Sequence, residues 1–389
     1  MSHLYPRTEM ANEMASQLLN PSVLDEGLRS GLFISGLRRT GKTTFLQNDL
    51  IPALEQHGAI VIYVDLWSDT QTSPAKLVHA AIQKTLKELQ TPASALLDKL
   101  KRLSGVDLGA GGFKFGFKLE SVGQEGGPTL AQAFAEVVDQ SQTNLVLIVD
   151  EVQHAITSDE GDQLLFALKA ARDAINTRPG TPGHFIFIGT GSHRALVSEL
   201  SARRNQAFAG ATSIHFPLLD EHYLEFLLNR LAEDGVSPLP SLEVVTQAFK
   251  TLGNRPEEMI KALRQLIYSL PPGGNPDELL PVIAATLRST AADIELQKVE
   301  ELGGLAKAIF EKIASTVGDA RGVFSAEAAA EYSKAIGREV RVEEIQPAAN
   351  ELLAANIIMR RGHGRYGVTD PFVQEMWREK QAFIGKIES

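Results

Sequence analysis

The chain has 389 residues, a formal net charge of −10 and no cysteine. That length supports two or three domains. The acidic balance argues against a non-specific polyanion binder, which is usually basic. Without cysteine there are no disulfides, thiolate metal sites or thiol nucleophiles, which fits a reducing compartment.

The N-terminal Met1-Ser2-His3-Leu4-Tyr5-Pro6-Arg7 lacks the apolar core of a secretory signal. No run approaches the ~18–20 apolar residues of a membrane span. A cytoplasmic protein is expected. The first strong signal follows at Leu32-Phe33-Ile34-Ser35, an apolar strand, and Gly36-Leu37-Arg38-Arg39-Thr40-Gly41-Lys42-Thr43 comes directly after it. A helical run opens at Thr43. A G-x-x-x-x-G-K-[ST] pattern between strand and helix is a phosphate-binding loop. Its glycines let successive N–H groups converge on one centre, and the helix N-terminus adds partial positive charge there. Gly36, Arg38, Arg39, Thr40, Gly41, Lys42, Thr43 and Thr44 are the candidate nucleotide contacts. Lys42 would reach the β- and γ-phosphates, and Thr43 would bind Mg²⁺. The alternative is a glycine-rich turn carrying an exposed lysine.

Residues 59–65 (A-I-V-I-Y-V-D) form a second buried strand, with helices expected at about 74–90, 92–103 and 129–140. Between them, residues 104–128 hold Gly109-Ala110-Gly111-Gly112 and then Phe113, Phe115 and Phe117 alternating with Lys114 and Lys118. That alternation predicts a hairpin with its phenylalanines on one face. Such a ribbon packs on its own domain, on a neighbouring subunit or partner, or on nucleic acid.

Residues 144–151 read N-L-V-L-I-V-D-E. The apolar run suits a strand buried on both faces of a parallel sheet. Ligands of open α/β sheets sit at the carboxyl ends of the strands. Asp150 would therefore hold Mg²⁺, and Glu151 would act as general base on the attacking water. Acids capping a helix N-terminus are the other reading. A helix at 163–176 and strands at 184–189 and 212–216 complete an α/β, doubly wound parallel-sheet pattern.

From Leu219 the pattern is helical only. Expected helices at 305–315, 326–335 and 342–355, then two short strands around Gly362-His363-Gly364, give the order of a winged helix. The would-be reading helix carries Glu343, Glu344 and Glu351, which repel phosphate. The wing carries Arg360, Arg361 and Arg365, which can touch a DNA backbone. A protein-interaction or autoinhibitory wing is favoured over a DNA-binding one. The expected domains are a core at 1–218, with the insertion at about 104–128, a helical lid at 219–298, and a winged-helix domain at 299–389. The nine histidines show no metal-ligand spacing such as H-E-x-x-H.

On these motifs the chain resembles the AAA+ and STAND branch of P-loop ATPases, including relatives of origin-recognition initiators. The loop G-L-R-R-T-G-K-T is similar to the double-arginine form of that group, and Asp150-Glu151 to its Walker B pair. Phe187-Ile188-Gly189-Thr190-Gly191-Ser192 is similar to its sensor-1 strand, which implies that Thr190 or Ser192 contacts the γ-phosphate or attacking water. Gly253-Asn254-Arg255-Pro256 stands where the group has its lid motif, implying nucleotide contacts from Arg255 and Pro256. Arg203-Arg204 lie where ring-forming members place an arginine finger, here Arg204. The Gly-Arg that some relatives carry a few residues later is absent at Ala209-Gly210-Ala211. Tyr5-Pro6-Arg7 would line the adenine pocket, and Asp370-Pro371-Phe372 resembles the group's ending. The resemblance implies ATP and Mg²⁺ as cofactors, a slow ATPase cycle that switches conformation or oligomeric state, and a protein partner.

Overall fold

The computed structural model describes residues 4–69, 71–92, 94–104, 112–124, 126–192, 197, 200, 207–355, 357–362 and 364–387. The described chain divides into two compact units. One comprises residues 1–36 and 41–217, the other residues 37–40 with 218–389.

In the first unit five parallel strands lie in the order β2-β3-β4-β1-β5. They are β1 (Leu32–Ser35), β2 (Ile60–Asp65), β3 (Leu145–Asp150), β4 (Phe185–Gly191) and β5 (Thr212–His215). β3 is buried at all six positions, whereas β2, on the edge, alternates buried and half-buried residues. The sheet sorts its side chains by parity. Phe33, Leu145, Leu147, Val149, Phe185 and Phe187 join one core, and Leu32, Ile34, Val146, Ile148, Ile186 and Ile188 join the other. Helices therefore cover both faces, as an all-parallel sheet requires. One face holds α4 (Pro74–Gln90), α6 (Leu130–Ser141) and α7 (Asp159–Asn176), whose apolar residues share the first core. The other holds α1 (Thr8–Leu19) and a helix that starts as α2 (Lys42–Phe45), passes through a π turn and continues as α3 (Ile51–Gln56). Each fully buried aliphatic or aromatic side chain here is worth about 1.5–3 kcal/mol. Between α4 and α6 runs α5 (Ala95–Ser104).

The expected hairpin has no strand among the described residues 112–128; residues 105–111 lie outside the description. Phe113 is buried in the first core, with Phe115 and Phe117 packed against it. Helix α6 supplies the hydrogen bonds that a second strand was expected to supply. Lys114 N–H donates to Gln140 Oε1 (3.0 Å), Gln140 Nε2 returns a bond to the Lys114 carbonyl (2.9 Å), and Gly116 N–H donates to Glu136 Oε1 (3.1 Å). The segment thus packs on its own unit.

The second unit begins with four helices, α8 (Glu221–Glu233), α9 (Leu242–Thr251), α10 (Pro256–Ser269) and α11 (Pro276–Glu301). It continues through α12 (Gly304–Ser315), β6 (Ala320–Arg321), α13 (Ala326–Ile336), α14 (Val342–Ala354), β7 (Ile358–Gly362), β8 (Arg365–Val368) and α15 (Pro371–Ile387). The three strands form an antiparallel sheet in the order β6-β8-β7. Ile309, Phe310, Tyr332, Ile345, Leu352 and Val368 share its core. The two-residue β6 is too short to leave a period in the sequence. No described helix is long and apolar enough to cross a membrane.

Candidate functional site

The loop between β1 and α2 turns on Gly41, at φ 90° with nothing within 4 Å of where a Cβ would stand. That left-handed conformation favours glycine and lets Gly41 cap α2, whose Phe45 N–H donates back to the Gly41 carbonyl (2.9 Å). Thr40 is buried and donates to the Leu37 carbonyl at 2.8 Å. Lys42 is also buried, and its Nζ donates to the Gly36 carbonyl at 2.9 Å. Its ammonium is thus held at the loop rather than in solvent. Thr43 and Thr44 are exposed, Arg38 is half-buried, and Arg39 is exposed at φ 60°.

Asp150 ends β3 and is buried. Its Oδ2 accepts from Thr43 Oγ1 (2.7 Å) and from the Tyr63 hydroxyl (3.2 Å). Its Oδ1 accepts from the Glu151 N–H (3.1 Å) and from Thr190 Oγ1. Four donors on one carboxylate fix its orientation. Strand register brings them together: β4 lies between β1 and β3, Ile34 pairs with Thr190, and Asp65 pairs with Asp150. Glu151 sits at φ 56°, a strained conformation for a residue with a Cβ. Its Oε2 accepts from Ser192 Oγ (2.9 Å) and from Gln153 Nε2, which also donates to Ser192 Oγ (3.3 Å). Gly191 makes that approach possible, because a Cβ there would meet Gln153 Oε1 at 2.2 Å.

Three acids, Asp65, Asp150 and Glu151, therefore meet at the carboxyl end of the sheet. Burial, with the charges of Asp150 and Glu151, pushes the Asp65 carboxyl above its ordinary range, against the Trp67 N–H that it accepts at 2.8 Å. Burial and the Asp150 charge likewise raise the Tyr63 phenol. The paired Thr43 hydroxyl and Asp150 carboxylate are hard oxygen donors of the kind Mg²⁺ takes beside phosphate oxygens and water. Among the described residues no group of three or more His, Cys, Asp or Glu is arranged to hold a metal ion.

The structure thus brings together Gly36, Gly41, Lys42, Thr43, Asp150, Glu151, Thr190 and Ser192. Arg255 and Pro256 belong to the second unit. There the Arg255 guanidinium pairs with Asp370 and lies 5.0 Å from the Phe372 ring centroid. Arg203 and Arg204 lie outside the described residues. Arg7 stacks on Phe216 at 4.7 Å, and a Cβ on Gly36 would meet that phenylalanine's Cβ at 3.0 Å. The N-terminal segment is thereby held beside the phosphate loop. Arg360 and Arg365 are exposed, with Arg365 3.6 Å from Asp319. Tyr63, Gln153 and Asp65 were not singled out from sequence. The available signal was a tyrosine two positions before an acid at a strand's carboxyl end.

The AAA domain family matches residues 26–197, somewhat less than half of the chain. The core has the AAA+ fold. No curated protein matches the chain. Among solved structures, the Aeropyrum pernix ORC2 protein in its ADP form is 14% identical, with a TM-score of 0.54 over 100% of this chain and 96% of that one. The same protein in its ADPNP-ADP complexes is 14% identical, with a TM-score of 0.52 over 98% of each chain. At that identity the likeness is one of fold, and the AAA+ core is carried here with a second unit of helices and a three-stranded antiparallel sheet.

Proposed function

We propose that this chain binds Mg²⁺-ATP at the β1–α2 loop and hydrolyses it slowly, and that the cycle switches its conformation or assembly to signal to a protein partner in the cytoplasm. The observation that carries this reading is the 2.7 Å bond between Thr43 and Asp150, beside a buried Lys42. It joins two separate sequence motifs at the atoms that the chemistry needs. The ADPNP and ADP named for the Aeropyrum ORC2 structures are consistent with an adenine nucleotide.

Gly36, Arg38, Arg39, Thr40, Gly41 and Thr44 shape the loop around the phosphates, and Lys42 meets their negative charge. Thr43 and Asp150 hold Mg²⁺, which supplies neutralisation of the phosphate oxygens. Glu151 takes the proton of the attacking water. Ser192 and Gln153 orient Glu151, while Thr190 and Tyr63 orient Asp150. Arg204 is assigned as the finger reaching a neighbour's site, and Arg255 with Pro256 as lid contacts. STAND-type membership and the division into core, lid (219–298) and winged helix (299–389) belong to the same proposal.

The wing is assigned to protein contact, because the exposed face of α14 carries Glu343 and Glu351. A second reading rests on exposed Arg360 and Arg365, with Arg361, as backbone contacts of an ATP-regulated DNA-binding loader. It requires salt-dependent duplex binding that weakens when these arginines are neutralised. The test of the main reading is Glu151→Gln. ATP-analogue binding should persist while hydrolysis falls by about 10²–10⁴-fold; undiminished hydrolysis removes Glu151 from the mechanism.

A further inference from the structure

We propose that the outer groove formed by α8 and α10 seats a second copy of this chain, filled by that copy's Val23 and Leu24. Helix α10 is apolar on two faces. Met259, Ala262, Leu263 and Leu266 are buried inward, while Ile260 (45% exposed), Ile267 (42%) and Tyr268 (83%) face out. With Leu227 and Leu231 of α8 these outer residues line a groove of about 250 Å³. An outward apolar stripe backed by a satisfied inner face is a contact surface rather than a core remnant. Arg264 is the one charged residue lining the groove, and it makes no ion pair among the described residues.

The complementary piece lies in the first unit. Val23 and Leu24 are 84% and 96% exposed, side by side, and Glu26 follows them, also exposed. The turn that presents them is fixed from behind. Leu28 is buried, Gly27 lies so close to Thr212 that a Cβ would meet its Oγ1 at 2.8 Å, and Ser22 Oγ donates to Asp25 Oδ2 at 2.6 Å. The knob is therefore pre-organised, which lowers the ordering cost of binding. Two aliphatic side chains followed by a carboxylate match an apolar groove that carries one unpaired guanidinium. In a chain of net charge −10, a local opposite-charge pair also sets the register of self-association. Knob and groove are different surfaces, so two copies can exchange them reciprocally about a two-fold axis, or each copy can link one neighbour to the next. The inference deepens the switch reading by naming an assembly surface, and it rests on that reading only for any dependence on nucleotide.

The test is the solution mass of the full chain over a concentration series, with and without Mg²⁺ and a non-hydrolysable ATP analogue. Binding of a fluorescent ATP analogue is followed separately. The wild-type mass should rise above that of the monomer as concentration increases. Leu24→Asp and Arg264→Glu should each weaken association about tenfold or more, with thermal melting unchanged. Combining Glu26→Arg with Arg264→Glu should recover most of that loss. A wild type that stays monomeric throughout, single variants that assemble like wild type, or a double variant no better than Arg264→Glu overturns the proposal. Loss of nucleotide binding with assembly intact counts against the ATPase reading instead.

Discussion

Tyr63 donates its phenol hydrogen to Asp150 Oδ2 across 3.2 Å, onto the same oxygen that accepts from Thr43 at 2.7 Å. The phenol comes from the edge strand β2, two positions before the Asp65–Asp150 pair. It packs in the same core as Phe45 and Leu46 of the phosphate loop's helix, so it restrains the carboxylate from that face of the sheet. Thr43 and Asp150 would together hold Mg²⁺ only with their mutual hydrogen bond open. The Tyr63 bond is not required to open with it.

Tyr63→Phe should therefore raise the Mg²⁺ concentration needed for half-maximal ATP-analogue binding by about tenfold, the lower end of the effect of removing a partner behind a metal ligand. The fold should lose only about 0.5–1.5 kcal/mol, the net worth of one hydrogen bond. A Mg²⁺ titration monitored by a fluorescent analogue checks this. An unchanged Mg²⁺ requirement would leave Tyr63 with a packing role only.

Gly191→Ala should damage the fold and the site together. The added methyl would lie 2.2 Å from Gln153 Oε1 and 2.6 Å from Val197 Cγ2. Overpacking of this kind costs about 1–3 kcal/mol. Relief requires Gln153 to move away from Glu151, so turnover should fall more than nucleotide binding. Thermal melting and steady-state hydrolysis measured on the same sample decide it. A variant that keeps both melting temperature and turnover would show that the Gln153 contact is dispensable.

Asp65 gives a pH signature. Burial first, then Asp150 and Glu151, raise its folded-state pKa. A carboxyl with a raised folded-state pKa holds its proton more tightly folded than unfolded, so its ionisation opposes folding. That penalty is absent below the ordinary Asp pKa of about 3.9, grows as pH rises through the raised value, and is complete above it. Asp65→Asn, whose amide oxygen can still accept from the Trp67 N–H, should melt higher than wild type at neutral pH without Mg²⁺. The gain should fade as the pH drops toward the ordinary Asp value. A gain that is constant with pH would assign the effect to something other than ionisation.

What could be read from the sequence was chemistry held in contiguous residues. The phosphate loop spans Gly36–Thr43, and the acid pair ends an uninterrupted apolar strand, so each announces itself locally. Strand parity then fixes which side chains go to which core. What escaped depends on register between separated segments. Tyr63 matters only because β2 pairs with β3, and Gln153 only because Gly191 leaves room for it. Helix α1 escaped because two of its four buried residues are Ala11 and Ala15, which give weak apolar contrast. The phenylalanine alternation at 113–117 mimicked a strand, but Gln140 and Glu136 satisfy backbone groups there that a second strand would otherwise satisfy.

The central claim is a nucleotide seated at the β1–α2 loop, and direct titration of an ATP analogue into the protein tests it. Wild type should bind with a requirement for Mg²⁺. Lys42→Ala, which removes the buried ammonium at the Gly36 carbonyl, should show no saturable binding while melting as a folded protein. Equal binding by wild type and Lys42→Ala, or no binding by wild type with Mg²⁺ present, would contradict it.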